Sequence, residues 1–186
     1  MSKERHVVCL PDLTRVERKI YRITRKGRMH TMNQWQGKKW YCYGTSMTDN
    51  ISLIHGINHC GNYSKYLAQY AGLEEHNFGK GGSGIIPKFH GDDNIKTRCM
   101  CLTDGKAKAD LITVEIIPND MKGELGEVTD LCDDTFCGNL NQIIEYLLSN
   151  TKATLVILIA SRGRYQHDDA SVKFFPTSEQ VKRHLV

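Results

Sequence analysis

The stretch Leu111-Ile112-Thr113-Val114-Glu115-Ile116-Ile117, halted by Pro118-Asn119-Asp120, decides how this sequence folds. A short, nearly continuous apolar run cut off by a proline and two turn formers reads as a central strand of a parallel sheet, buried on both faces. Parallel strands cannot be joined by hairpins, so such a strand demands crossover helices. Downstream, Phe136, Leu140, Ile143, Ile144, Leu147 and Leu148 repeat at helical spacing behind Asp133, Asp134 and Thr135, which suit a helix N-terminus. A second buried strand follows over Ala153 to Ala160, closed by Ser161-Arg162-Gly163-Arg164.

The same alternation extends upstream. Trp40, Tyr41, Cys42 and Tyr43 are strand formers that run into the polar turn Gly44-Thr45-Ser46-Met47-Thr48-Asp49-Asn50. Tyr63, Tyr66, Leu67, Tyr70 and Ala71 predict an amphipathic helix with Asn62 as N-cap and Gly72 as its stop. A short segment over Glu75 to Phe78 leads into Gly79-Lys80-Gly81-Gly82-Ser83-Gly84, whose glycines imply unusual dihedrals or close backbone approach. The residues between this loop and Leu111 read as irregular and polar. Strand, helix and strand in this order predict an α/β protein: a three-layer α/β/α sandwich around a flavodoxin-like parallel sheet.

Composition sets the bounds. With 186 residues, 40% hydrophobic and 25% charged, the chain suits one soluble domain. Residues 1–43 hold eleven Lys/Arg against three Asp/Glu, so a head of +8 precedes a body of −4. Residues 1–37 lack sustained periodicity and read as a basic arm or linker, leaving 38–186 as the domain. The arm has no aromatic-interleaved recognition pattern, which argues against nucleic acid as partner. The longest apolar run, Leu155 to Ala160, is too short to span a bilayer, and the charged start is unlike a signal peptide. Seven cysteines without a CxxC pair suit free thiols in a reducing cytoplasm. No pattern calls for a cofactor or a metal: His55 and His59 have chelating spacing, but Gly56 and Asn58 disfavour the helix this needs.

Ligands of open parallel sheets gather at the carboxyl ends of the strands, so the loops beginning at Gly44, Gly79 and Pro118 should converge there. Ser46 would present a hydroxyl to a carbonyl carbon. The backbone amides of Ser46 and Gly82, with the side-chain amide of Asn119, would meet the oxyanion of a tetrahedral intermediate. Each signal is weak alone; their order along the chain is more specific.

Tyr43-Gly44-Thr45-Ser46 resembles the first block of the SGNH (GDSL-type) serine esterases, with Ser46 as nucleophile and Thr45 where Asp is frequent. Asn77 to Ser83 resembles the second block, with Gly82 at the oxyanion-hole glycine, and Pro118-Asn119-Asp120 the end of the third, with Asn119 as the oxyanion-hole Asn. Ile117 stands where that third block normally has Gly. The resemblance, from about Trp40 to about Tyr165, implies the SGNH hydrolase fold and a small ester substrate such as an acylated carbohydrate or lipid.

The resemblance also implies a fifth block with Asp and His three residues apart, and no Asp in this sequence is followed three residues later by His. Pro176, Thr177 and Gln180 read as a helix start with a capping box shortly before the sequence ends at Val186. The expectation is a hydrolase missing its last strand and its base, weak or inactive in this form, with an exposed sheet edge that favours self-association. Of the other histidines, His167 beside Asp168 and Asp169 is the least implausible substitute. Two other readings compete: a flavodoxin-like module whose Thr45, Ser46 and Thr48 cradle a phosphate or flavin, and a non-catalytic interaction protein that binds a sugar or acyl chain.

Overall fold

A computed structural model describes residues 8–9, 33–49, 63–101, 108–116 and 119–159. Its strands are β1 (Val8–Cys9), β2 (Lys39–Gly44), β3 (Glu74–Gly79), β4 (Leu111–Ile116) and β5 (Thr154–Ile159). Its helices are α1 (Tyr63–Ala71), α2 (Pro87–His90), α3 (Ile95–Met100) and α4 (Phe136–Asn150). The strands form one sheet in the order β1-β5-β4-β2-β3. All four pairings are parallel, with Tyr43 opposite both Phe78 and Val114 and Val114 opposite Ile157.

The period-2 alternation of each strand sorts its side chains onto two faces. On one, Tyr41 and Tyr43 of β2, Ile112, Val114 and Ile116 of β4, and Leu155 and Ile157 of β5 share a core with α3 and α4. Tyr43 stacks on Phe78 of β3 with ring centroids 5.2 Å apart. On the other, Trp40 and Cys42 pack against Ala68 and Leu67 of α1. Helices on both faces of a parallel sheet make the α/β sandwich that the alternation predicts.

Helix α4 forms where its periodicity places it. Its apolar stripe buries Phe136, Leu140, Ile143 and Leu147, each contributing about 1.5–3 kcal/mol by burial. The N-cap Thr135 accepts a bond from Gly138 N at 3.1 Å through its hydroxyl. The next amides are taken by the incoming loop, as Phe136 N and Cys137 N donate to Glu124 O and Leu125 O. Helix α1 ends at Gly72, whose φ of +65° favours glycine.

Two expectations need correction or completion. The stretch after Gly84 is not irregular: it contains α2 and α3, and it places Ile85, Ile86, Ile95 and Cys99 in the core. Helices of four and six residues, with Ile85 and Ile86 placed before the first of them, are too short to show a period. In addition, β1, from the basic arm, pairs with Val156 and Ile157 of β5, along the edge expected to lie open. Asn62, Ile117, Pro118, His55, His59, His167 and the predicted helix at Pro176 lie outside the described residues.

No helix among the described residues is long and apolar enough to cross a membrane. Cys42, Cys99, Cys101, Cys132 and Cys137 are free thiols, and no metal-binding cluster of His, Cys, Asp or Glu occurs among the described residues.

Candidate functional site

At the carboxyl ends of β2 and β3 the chain turns twice, and the two turns are tied together. After Gly44, Thr48 N and Asp49 N both donate to Thr45 O, closing a tight turn around Ser46. After Gly79, Lys80 N reaches back to Gly44 O at 3.1 Å, and Gly81 N donates to Asp49 Oδ2 at 2.8 Å. Gly79 makes this approach possible: a Cβ there would lie 2.5 Å from the backbone of Thr48 and Asp49, whereas one at Gly81 would make ordinary contacts with Asp49 and Ser46. Ser46 therefore lies beside the glycine loop.

The third loop joins through one bond. Asn119, just past β4, donates its side-chain amide to Ser83 O at 2.7 Å. That bond uses one of the two N–H groups of the amide and leaves the other for a ligand. Asp120 sits fully buried beneath, accepting from Ile85 N and Ile86 N at 2.9 and 3.0 Å. A Cβ at Gly84 would collide with Asp120 and His90.

Gly82 has φ of +73°, and a Cβ there would meet nothing within 4 Å. No hydrogen bond among the described residues engages the Gly82 N–H, the Ser46 N–H or the Ser46 hydroxyl. The three residues singled out from the sequence thus lie on adjoining turns with polar groups unspent, the Ser46 turn tied to Gly81 through Asp49 and Asn119 tied to Ser83.

Several residues that build this rim escaped the sequence reading. Arg98 of α3 donates from Nε to Phe78 O at 3.0 Å and from Nη2 to Ser83 Oγ at 3.0 Å and Gly44 O at 3.3 Å. Its Nη1 is held by Asp93 at 2.9 Å. Asn77 donates to Thr48 O at 2.7 Å and accepts from Gly79 N at 2.8 Å. Glu115, the charge inside the apolar run that defines β4, was the legible signal: its carboxylate is 1% exposed and accepts from Thr45 N at 2.7 Å. Burial pushes this carboxyl above the ordinary glutamate range, against the bonds from Thr45 and Thr48 that pull it down.

Those bonds bear on the phosphate reading. Thr45 Oγ1 donates to Glu115 at 2.9 Å and Thr48 Oγ1 at 3.1 Å, so two of the three hydroxyls of the turn are spent on a carboxyl that would repel a phosphate. His76 pairs with Glu74 at 2.9 Å, and His90 Nε2 lies 3.2 Å from Asp120 Oδ1 without hydrogen-bond alignment. An open depression of about 500 Å³ lined by Lys108, Asp110, Thr151 and Lys152 lies at the opposite, amino end of the sheet, away from where such folds bind ligands.

No family model and no curated protein matches this sequence. Nine solved chains match in structure. One, a protein from Lactobacillus plantarum, has a TM-score of 0.56 and 25% identity over 67% of this chain and 57% of its own. Another has a TM-score of 0.56 and 24% identity over 68% of this chain and 58% of its own. A third is described as a possible lipase from Chitinophaga pinensis, at TM-score 0.48 and 18% identity over 64% of this chain and 47% of its own. The chain therefore spans a little over half the length of the first two, and what it shares with them is an α/β fold with a parallel sheet of flavodoxin-like order.

Proposed function

We propose that this chain carries the nucleophile and oxyanion half of an SGNH-type serine ester hydrolase site. Ser46 attacks the ester carbonyl, and the N–H groups of Ser46 and Gly82 with the free N–H of Asn119 receive the oxyanion. The observation that carries this reading is the meeting of three separate loops at one rim. Gly81 is bonded to Asp49 of the Ser46 turn, Asn119 is bonded to Ser83, and Gly82 between them is open.

A serine hydroxyl needs a base, and neither described histidine is positioned as one. Removing a triad member typically costs about 10⁴- to 10⁶-fold in rate and leaves a residual acceleration of about 10³- to 10⁴-fold from the oxyanion hole and binding. From the serine and oxyanion donors alone, the expected turnover of short-chain aryl esters is slow. Wild type should exceed Ser46→Ala in p-nitrophenyl acetate hydrolysis, and a fluorophosphonate should add one adduct, mapped by mass spectrometry to Ser46. Equal rates and equal labelling in the two proteins would defeat the assignment.

A further inference from the structure

Below the Ser46 turn lies a buried carboxyl with no cation to justify it. Glu115 is the penultimate residue of the central strand β4, and among the described residues no ion pair involves it. Its partners are all donors from the turn itself: Thr45 N, Thr45 Oγ1 and Thr48 Oγ1. Thr48 is backed in turn by the Tyr63 hydroxyl of α1 at 3.2 Å. Gly44 is the residue that lets the carboxyl in, since a Cβ there would stand 2.6 Å from Glu115 Oε2 and would overlap the Thr48 hydroxyl. An apolar residue would serve a strand core better, because a lone buried carboxyl costs free energy wherever it is not bonded.

We propose that Glu115 is a positioning residue for Ser46, holding the turn by hydrogen bonds so that the serine hydroxyl faces the reacting carbon and its N–H the oxyanion that forms there. This inference rests on the hydrolase reading above. It also accounts for Thr45, which stands where the resembled block often has Asp. A threonine donates to Glu115, whereas an aspartate would set two carboxylates face to face. Threonine hydroxyls rotate freely between donating and accepting. The network therefore closes around a charged carboxylate, a neutral carboxyl or the amide of a glutamine, and its role is carried by bonds rather than by charge.

The test compares wild type with Glu115→Gln, Glu115→Ala and Thr45→Asp by two measurements. Amide hydrogen exchange across Gly44 to Asp49 reads the turn alone. Exchange there should rise about tenfold or more in Glu115→Ala and Thr45→Asp and stay close to wild type in Glu115→Gln, since each kilocalorie-scale bond lost opens the turn several-fold. The rate of fluorophosphonate labelling at Ser46 should fall in parallel, with Glu115→Gln rescuing it. Unchanged exchange in Glu115→Ala, or a Glu115→Gln protein as loose as the alanine variant, overturns the positioning role. If the exchange pattern holds but Ser46 is never labelled in any of the proteins, the positioning role stands for the turn and the hydrolase reading fails. Should Glu115→Ala not fold, Glu115→Gln and Thr45→Asp still decide the matter.

Discussion

Gly82 and Gly84 show how differently neighbouring residues of one rim respond to change. Gly82→Ala meets no atoms but keeps a φ of +73°. The expected cost is about 1–2 kcal/mol in urea unfolding. Gly84→Ala drives a methyl into Asp120 and His90, and its expected cost is larger, because the buried carboxylate loses its bonds to Ile85 N and Ile86 N. A Gly82→Ala protein less stable than Gly84→Ala would contradict this ordering.

Glu115 gives the residue scale a pH signature. Its folded-state carboxyl titrates above the ordinary value of about 4.3, so between that value and the raised one the folded protein binds more protons than the unfolded. This group's contribution to stability is therefore greatest below about pH 4.3 and falls as pH rises through the raised value. The titratable groups that act on it are Tyr63 of α1, itself in reach of Cys42 of β2, and Asp120 after β4. Burial pushes the tyrosine and the thiol far above neutral, so neither becomes charged in this window. Asp93, Asp110 and Asp133 are lowered by bonds to Lys80, Lys39 and Lys96, and they act oppositely, below the ordinary carboxylate range. Stability measured against pH should be flatter just above the ordinary carboxylate range in Glu115→Gln than in wild type; identical slopes would show that Glu115 does not titrate there.

At the scale of elements, α4 is held by a cap and a stripe of separable size. Thr135→Ala removes the bond to Gly138 N, at an expected cost of about 1 kcal/mol. Leu140→Ala, in the middle of the buried stripe, should cost about 2–5 kcal/mol. Both are read from chemical unfolding. This helix, along with β2, β4 and β5, was legible because each is long or apolar enough to show its period. The helices α2 and α3 were not, since a turn or so of helix has no period, and α3 is fixed by a local cap together with tertiary bonds. Asn94 caps α3 by accepting from Thr97 N at 2.8 Å, and Lys96 is drawn into the interior by Asp133 at 2.6 Å and Asn139 at 3.0 Å.

For the whole molecule, Arg98 is the tie that crosses elements. Its guanidinium bonds the ends of β2 and β3 to the glycine loop. A lysine carries one compact charge and cannot span these acceptors. Arg98→Lys should thus behave like Arg98→Ala, with a loss of roughly 2 kcal/mol or more in stability and faster exchange across Gly79 to Ser83. A lysine variant that keeps wild-type protection would show that the fork is dispensable.

The sequence by itself determined the alternation of strands and helices, hence a parallel sheet covered on both faces, and it nominated Ser46, Gly82 and Asn119 by their order after three strands. Those features depend on local periodicity and on turn chemistry, which a linear text carries. Only the tertiary structure decided that Asp49 ties to Gly81 and that Asn119 ties to Ser83. It alone placed Glu115 beneath Thr45 and set β1 beside β5. Each of these joins residues far apart in the chain through a single bond or a short register, and such pairings become visible only when the sheet brings the ends of its strands to one edge.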